Sequence, residues 1–193
     1  APSDFGIRFR RSDLGGLEVP ANIEHLGGIN LATRLTRDAV NVGTIEHLLA
    51  ALVSLGIDNA IVELNSAEVP IMDGSAAPFI YLIQEAGIKR LPAARRYLKI
   101  LRPLSLTRGD KRIAVYPSDH FKVTYSIAFD HPMLRHQSRT IRLTEDAFID
   151  DIAPARHELL QQGIASRGLV GRVVDVPFGQ VTCRAGRRLP HHR

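Results

Sequence analysis

The sequence of 193 residues contains a single cysteine, Cys183. One cysteine cannot form an internal disulfide and cannot supply a cysteine-rich zinc module. No apolar run approaches the roughly 20 residues that are needed to cross a bilayer, and residues 1–4 do not have the pattern of a signal peptide. We therefore expect a soluble, cytoplasmic protein in a reducing compartment, without stable insertion into a membrane.

Several familiar catalytic signatures are also missing. The sequence has no glycine-rich phosphate loop, no Gly-x-Ser-x-Gly elbow and no His-Glu-x-x-His helix. Its hydrophobic fraction of 45% nevertheless allows a sizeable core, in one large domain or two small ones. We expect most of the chain to be folded.

The positive charge is concentrated at one end of the chain. The net charge is +5, and residues 156–193 hold seven arginines against Glu158 and Asp175, so residues 1–155 sum to zero. A basic tail without interleaved aromatic residues is weak support for a nucleic-acid surface. We expect no nucleic-acid partner. The alternative, a basic nucleic-acid-binding domain, predicts strongly salt-dependent binding by residues 1–155.

The most informative stretch is 44–59. Thr44 is placed to cap a helix predicted over 45–55, and Gly56 follows as its C-terminal stop. The apolar residues of this helix recur at the spacing of one buried face: Ile45, Leu48, Leu49, Leu52 and Leu55. Glu46 lies in the first turn, where the helix dipole favours a carboxylate, and His47 lies about 100° further round.

Two interpretations of the Glu46–His47 pair remain open at this point. In the first, a surface glutamate stabilises the helix terminus beside an ordinary histidine. In the second, His47 is a metal ligand and Glu46 is the base that deprotonates a metal-bound water, as neighbouring Glu and His residues do in zinc hydrolases. The dipeptide alone does not choose between them.

The remaining elements predict an α+β protein. Extended segments at 5–11, 19–23, 31–35 and 39–42 precede the helix, and 60–64 follows it. A turn-rich loop over 68–75 leads to a helix over 78–87, and 91–96 is a candidate linker. The second half predicts strands over 97–106, 111–116, 121–129 and 140–143, then a helix behind Thr144. Strands that precede helices in both halves favour α+β layers over a doubly wound sheet.

Three of these segments, 44–48, 55–59 and 68–79, closely resemble the UDP-3-O-acyl-N-acetylglucosamine deacetylases, zinc amidases of lipid A biosynthesis. A looser likeness runs through 7–13, 129–132 and 146–148 to 152–156. This resemblance favours the catalytic interpretation of the Glu46–His47 pair.

The resemblance implies a fold, a site and partners. It implies two similar small α+β domains, each a mostly antiparallel sheet, with helices packed between the two sheets. We predict a first domain over 1–92, a partial second domain over 97–155 and a divergent basic tail over 156–193. Glu46 matches the general base and His47 the first zinc ligand, while Leu31 and Thr33 match a segment beside the acyl pocket. The implied cofactor is Zn²⁺, the implied substrate is a UDP-linked acylated amino sugar, and a monomer is expected.

The sequence departs from this family after Arg156. The family continues there with Thr-Phe-Gly-Phe, whereas this chain has residues 157–160 as His-Glu-Leu-Leu. The His-Lys-x-x-Asp segment that supplies the other two zinc ligands is absent, as is the later histidine that acts as general acid. We expect a truncated or frame-shifted end, a missing N-terminal partner for the strand at 5–11, and a solvated tail around His191 and His192. The alternative is an inactive homologue with a structural or binding role.

Overall fold

The computed structural model describes residues 1–29, 32–127 and 136–156. The strands in these residues are β1 Ile7–Arg11, β2 Leu17–Pro20, β3 Leu26–Gly28, β4 Arg34–Arg37, β5 Val40–Val42, β6 Ala60–Leu64, β7 Leu104–Arg108, β8 Lys111–Val115, β9 Lys122–Ile127 and β10 Gln137–Arg142. The helices are α1 Glu46–Ser54, α2 Ala77–Ala86 and α3 Glu145–Asp151. The α+β class predicted from the sequence is confirmed. None of the helices in the described residues is long and apolar enough to span a bilayer.

The backbone divides into two compact units. The first contains residues 1–93 together with the described residues 145–156, and the second contains 94–144. α3 therefore belongs to the first unit, whereas our prediction counted it in a second domain over 97–155. The physical reason is that α3 packs against α1, with Phe148 1% exposed. The other domain limits stay a prediction.

Two three-stranded sheets lie in the first unit. β1 is the central strand of one sheet, antiparallel to β2 and parallel to β6. The other sheet is antiparallel throughout, in the order β3-β4-β5. The extended segment predicted at 5–11, in which apolar and basic residues alternate, contains β1, and the extended segment predicted at 60–64 coincides with β6.

The core of the described chain lies entirely in the first unit. Its buried hydrophobic residues are Phe9, Val19, Leu35, Val40, Val42, Ile45, Leu48, Ala51, Leu52, Leu55, Val69, Ala76, Phe79, Ile80, Phe148 and Ala153. The predicted buried face of α1 is confirmed at four of its five positions, since Leu49 is only half-buried while Ala51 is fully enclosed. The helix that carries the Glu46–His47 pair is thus anchored by its apolar face.

The two ends of α1 differ from each other in how well the sequence predicts them. At the C-terminus Gly56 adopts φ +69°, and Gly56 N and Ile57 N donate to Val53 O and Leu52 O at 3.1 and 2.8 Å, which is a Schellman motif. At the N-terminus the prediction of a Thr44 cap is wrong. Thr44 has φ +57°, and Ile45 occupies the cap position without a side-chain hydrogen bond.

The second unit consists of two β-hairpins in its described residues. β7 pairs with β8 and β9 with β10, both antiparallel. The strand predicted over 97–106 is wrong for 97–103, because β7 begins at Leu104. Pro103 explains this limit, since proline has no N–H for a ladder and restricts the residue before it. Residues 128 and 129 of the predicted third strand lie outside the described residues.

Candidate functional site

The candidate site is the N-terminal mouth of α1. Glu46 is the first residue of this helix and His47 the second, and both side chains are half-buried. The amides of a first helical turn point outward with a partial positive charge, which stabilises a carboxylate there. The structure therefore keeps an acid and an imidazole together at one partly enclosed helix end.

The segment that contains Thr33 lies directly against this mouth. Thr33 N donates to Glu46 Oε2 at 3.1 Å, and Ile45 N donates to Thr33 O at 3.5 Å. One residue thus contacts both the helix start and the Glu46 carboxylate. The negative charge of a carboxylate strengthens a hydrogen bond that it accepts from a main-chain N–H. The bond from Thr33 N therefore restricts the orientation of the Glu46 carboxylate.

A second segment borders the mouth through the backbone of Gly43. Gly43 N donates to Ala67 O at 2.8 Å, and Val69 N donates to Gly43 O at 3.1 Å. Val69 is 3% exposed, so the beginning of the loop over 68–75 is anchored in the core. The loop therefore starts beside the entry to α1 and ends at the start of α2.

Asp73 organises the end of this loop. Its Oδ1 accepts hydrogen bonds from Ser75 N at 3.0 Å and from Ser75 Oγ at 2.7 Å. The bond from the Ser75 side chain is the main cause that lowers the pKa of Asp73, and the charge of Arg156 acts in the same direction. Asp73 thus holds this turn by a hydrogen bond between its side chain and the backbone of Ser75.

The structure also contains contacts that the sequence does not predict. Arg156 Nε lies 3.6 Å from Asp73 Oδ2, and Ala153 O accepts hydrogen bonds from Ala76 N and Ala77 N at 3.1 Å each. These partners lie far apart in the chain, and neither a lone arginine nor a main-chain carbonyl carries a motif that would reveal them.

Several residues considered in the sequence lie outside the described residues. They are Leu31, His131, His157, Glu158, Asp175, Cys183, His191 and His192. Thr33, Glu46 and His47 are described, and the structure places Thr33 and Glu46 in contact. The assignment of these three residues and Leu31 to a catalytic site stays a prediction.

The described residues do not fit a zinc ion. No group of three or more His, Cys, Asp or Glu side chains in 1–29, 32–127 and 136–156 is arranged to hold a metal. A zinc site in a hydrolase uses three protein ligands and an open position for water, a set that the described residues do not assemble.

Comparisons with known proteins identify relatives along most of the chain. Residues 1–169 match the model of the LpxC family, described as UDP-3-O-acyl N-acetylglycosamine deacetylase. The UDP-3-O-acyl-N-acetylglucosamine deacetylase of Saccharophagus degradans is 43% identical over 199 residues, which cover 97% of this chain and 66% of the relative. The enzyme of the same name from Cellvibrio japonicus is 42% identical over 187 residues, which cover 91% and 62%.

A third relative matches over a shorter length with a slightly higher identity. The deacetylase of Marinobacter nauticus is 46% identical over 159 residues, which cover 81% of this chain and 52% of the relative. The chain thus spans between 52% and 66% of the length of these relatives. The family match continues beyond Arg156, where the resemblance drawn from motifs had ended, but it stops short of the final residues. The match over 1–169 shows that the chain belongs to the LpxC family of deacetylases.

Proposed function

We propose that the mouth of α1 is the base-bearing half of a zinc-dependent deacetylase site. In a complete family member this site would remove the N-acetyl group from UDP-3-O-acyl-N-acetylglucosamine in lipid A biosynthesis. The observation that carries the proposal is the contact of Glu46 with Thr33 N, in a chain of the LpxC family. The same segment would contact the acyl-sugar through Thr33 and Leu31.

Glu46 has a geometry that suits a general base. Its Oε2 accepts the Thr33 N–H, and Oε1 has no hydrogen-bond partner within the described part of the chain. One oxygen thus fixes the carboxylate and the other can accept a proton. A base in such an enzyme must come within hydrogen-bond reach of the proton that it removes. His47, the next residue, would take the first zinc-ligand position.

When bound, zinc would lower the pKa of its water to about 7 and polarise the amide carbonyl. The described residues supply too few ligands for tight binding. We therefore propose that this chain binds zinc weakly and releases little or no acetate. We also propose the finer architecture expected for the family, with two similar domains and helices packed between two sheets. We propose in addition that the protein is a monomer in the cytoplasm.

Metal binding by purified protein tests the site without any need for turnover. We expect zinc to bind with less than one ion per chain, and we expect His47→Ala to abolish this binding. His120→Ala is the matched control, since His120 is exposed in the second unit, and it should leave zinc binding unchanged. Zinc binding that persists in His47→Ala would contradict the proposed site.

Acetate release from the UDP-sugar separates the proposal from its alternative. One tightly bound zinc per chain with His47-dependent turnover would show a complete site, and the proposed shortage of ligands would be wrong. A chain that binds neither zinc nor the UDP-sugar would instead support the alternative function, an inactive homologue with a structural role.

A further inference from the structure

The segment that follows α3 docks on the start of α2. The first amides of a helix have no acceptor within the helix, and the N-cap residue of α2, Ala76, provides no side-chain hydrogen bond. Ala153 O accepts hydrogen bonds from Ala76 N and Ala77 N, at 3.1 Å each. A main-chain carbonyl from a distant part of the chain therefore takes the role that a capping side chain usually has.

The carbonyl of Ala153 is held in place by the end of α3. Phe148 O accepts hydrogen bonds from Ile152 N at 3.0 Å and from Ala153 N at 2.7 Å, so the chain turns tightly there. Phe148 and Ala153 are each 1% exposed. The docked segment is thus part of the core.

Asp73 contacts both sides of this junction. On the α2 side, its Oδ1 accepts from Ser75 N and Ser75 Oγ, and Ser75 Oγ in turn accepts from Ala77 N at 3.3 Å. On the α3 side, its Oδ2 faces Arg156 Nε at 3.6 Å. Ser75 is fully buried, so its hydroxyl depends on Asp73 for an acceptor.

We propose that Asp73 is a positioning residue that holds residues 152–156 against the start of α2 and so fixes α1, the helix of Glu46 and His47. α1 contacts both α2 and α3, and for this reason the junction constrains the direction of α1. The relevance of this positioning to deacetylation rests on the proposed function. The docking of residues 152–156 on α2 does not depend on that function.

The two contacts of Asp73 differ in strength. Arg156 has a side chain that is 69% exposed, and exposed ion pairs contribute little to stability. The hydrogen bonds from buried Ser75 to a charged acceptor contribute more, since removal of the acceptor leaves a buried hydroxyl without a partner. Asp73→Ala should therefore weaken the docking much more than Arg156→Gln does.

Hydrogen exchange in the full 193-residue chain, without substrate or metal, tests the docking. We expect Asp73→Ala to lower the protection of the Ala76 and Ala77 amides by about tenfold or more. Glu85→Ala, an exposed change at the other end of α2, is the matched control and should leave it unchanged. Equal protection in Asp73→Ala and the native chain, or equal loss in the control, would overturn the proposal.

The pH profile of protection provides a second measurement. The pKa of Asp73 is lowered in the folded chain by its bond with Ser75 and then by Arg156, the charged group that faces it in the described residues. The contribution of the Asp73 carboxylate to the docking is therefore complete above about pH 3.9, the usual pKa of an aspartate in an unfolded chain. It is lost as the pH falls through the lower pKa of the folded chain. Asp73→Asn should fold even where Asp73→Ala does not, and its profile should lack this acid loss. An unaltered profile in Asp73→Asn would contradict the role of the carboxylate.

The link to the proposed site is measured at His47. If the junction positions α1, the imidazole proton signals of His47 in the NMR spectrum should shift in Asp73→Ala and stay in place in Glu85→Ala. An unmoved His47 signal would confine Asp73 to the local turn and overturn the positioning role. Failure of acetate release or zinc binding, with these exchange and NMR results intact, would refute the proposed function alone.

Discussion

The buried Arg11 shows what the alternation of residue types along a strand does not predict. In β1 the burial pattern places Arg11 on the same face as Phe9, and its side chain is buried. Its guanidinium donates to both carboxylate oxygens of Asp13 at 2.7 and 2.6 Å, and to Asn41 O at 2.7 Å. The hydrogen bond from Arg11 lowers the pKa of Asp13, so this pair stabilises the fold at neutral pH and loses that effect in acid. A buried arginine requires such partners, and alternation predicts the strand without predicting them.

Gly56 allows a test of the left-handed residue that ends α1. At φ +69° a side chain with a Cβ atom is strained, so we expect Gly56→Ala to lower the free energy of unfolding by about 1–2 kcal/mol. Urea unfolding followed by circular dichroism measures the change. Gly56→Asn is the matched control, since asparagine adopts this conformation more readily, and its loss should be smaller. Equal stability of the alanine variant and the native chain would contradict the strain argument.

At the scale of elements, the sequence predicts what local chemistry determines. Gly56 ends α1 as predicted, Gly87 ends α2, and Pro78 lies in the first turn of α2. The predicted Thr44 cap does not form because tertiary contacts fix the backbone on both sides of it. The backbone of Gly43 is hydrogen-bonded to that of Ala67 and Val69, and the backbone of Ile45 is hydrogen-bonded to that of Thr33. Thr44, between these contacts, adopts φ +57° and does not cap. The same kind of distant contact explains why the Thr33 bond to Glu46 and the Ala153 junction are absent from any sequence pattern.

The packing of α3 depends on one aromatic side chain. Phe148 is 1% exposed, and a Phe→Ala change in a core costs about 3–5 kcal/mol. We expect Phe148→Ala to lower the free energy of unfolding in urea by this amount. The matched control is Phe121→Ala, because Phe121 is 59% exposed and exposed substitutions usually change stability by about 0.5 kcal/mol or less. Similar losses in both variants would show that α3 is not anchored by its buried ring.

At the scale of the whole molecule, the described part of the chain passes between the two units twice. It leaves the first unit after residue 93 and returns at residue 145 with α3. A linear division of the sequence at 91–96 cannot represent this path, because the return depends on the packing of Phe148 and on the docking of Ala153. The first crossing lies within the candidate linker at 91–96, whereas no sequence pattern marks the return at residue 145.

Limited proteolysis tests this double connection. Lys89, Arg90, Arg95 and Arg96 are exposed in a segment without helix or strand, and such segments are the preferred sites of nicking. We expect trypsin to cut there first. The two fragments should separate in a denaturing gel, yet they should elute together from a sizing column under native conditions, because the fragment beginning near 97 retains α3 packed on α1.

Phe148→Ala provides the matched comparison for this experiment. The ring of Phe148 is the largest buried side chain of α3, and its removal takes away most of the apolar contact that keeps the nicked fragments together. The nicked variant should therefore elute as two separate species, whereas nicked Phe121→Ala should elute as one. Separate elution of the two fragments of the nicked native chain would contradict this argument. It would show that the burial of Phe148 does not hold α3 in the first unit.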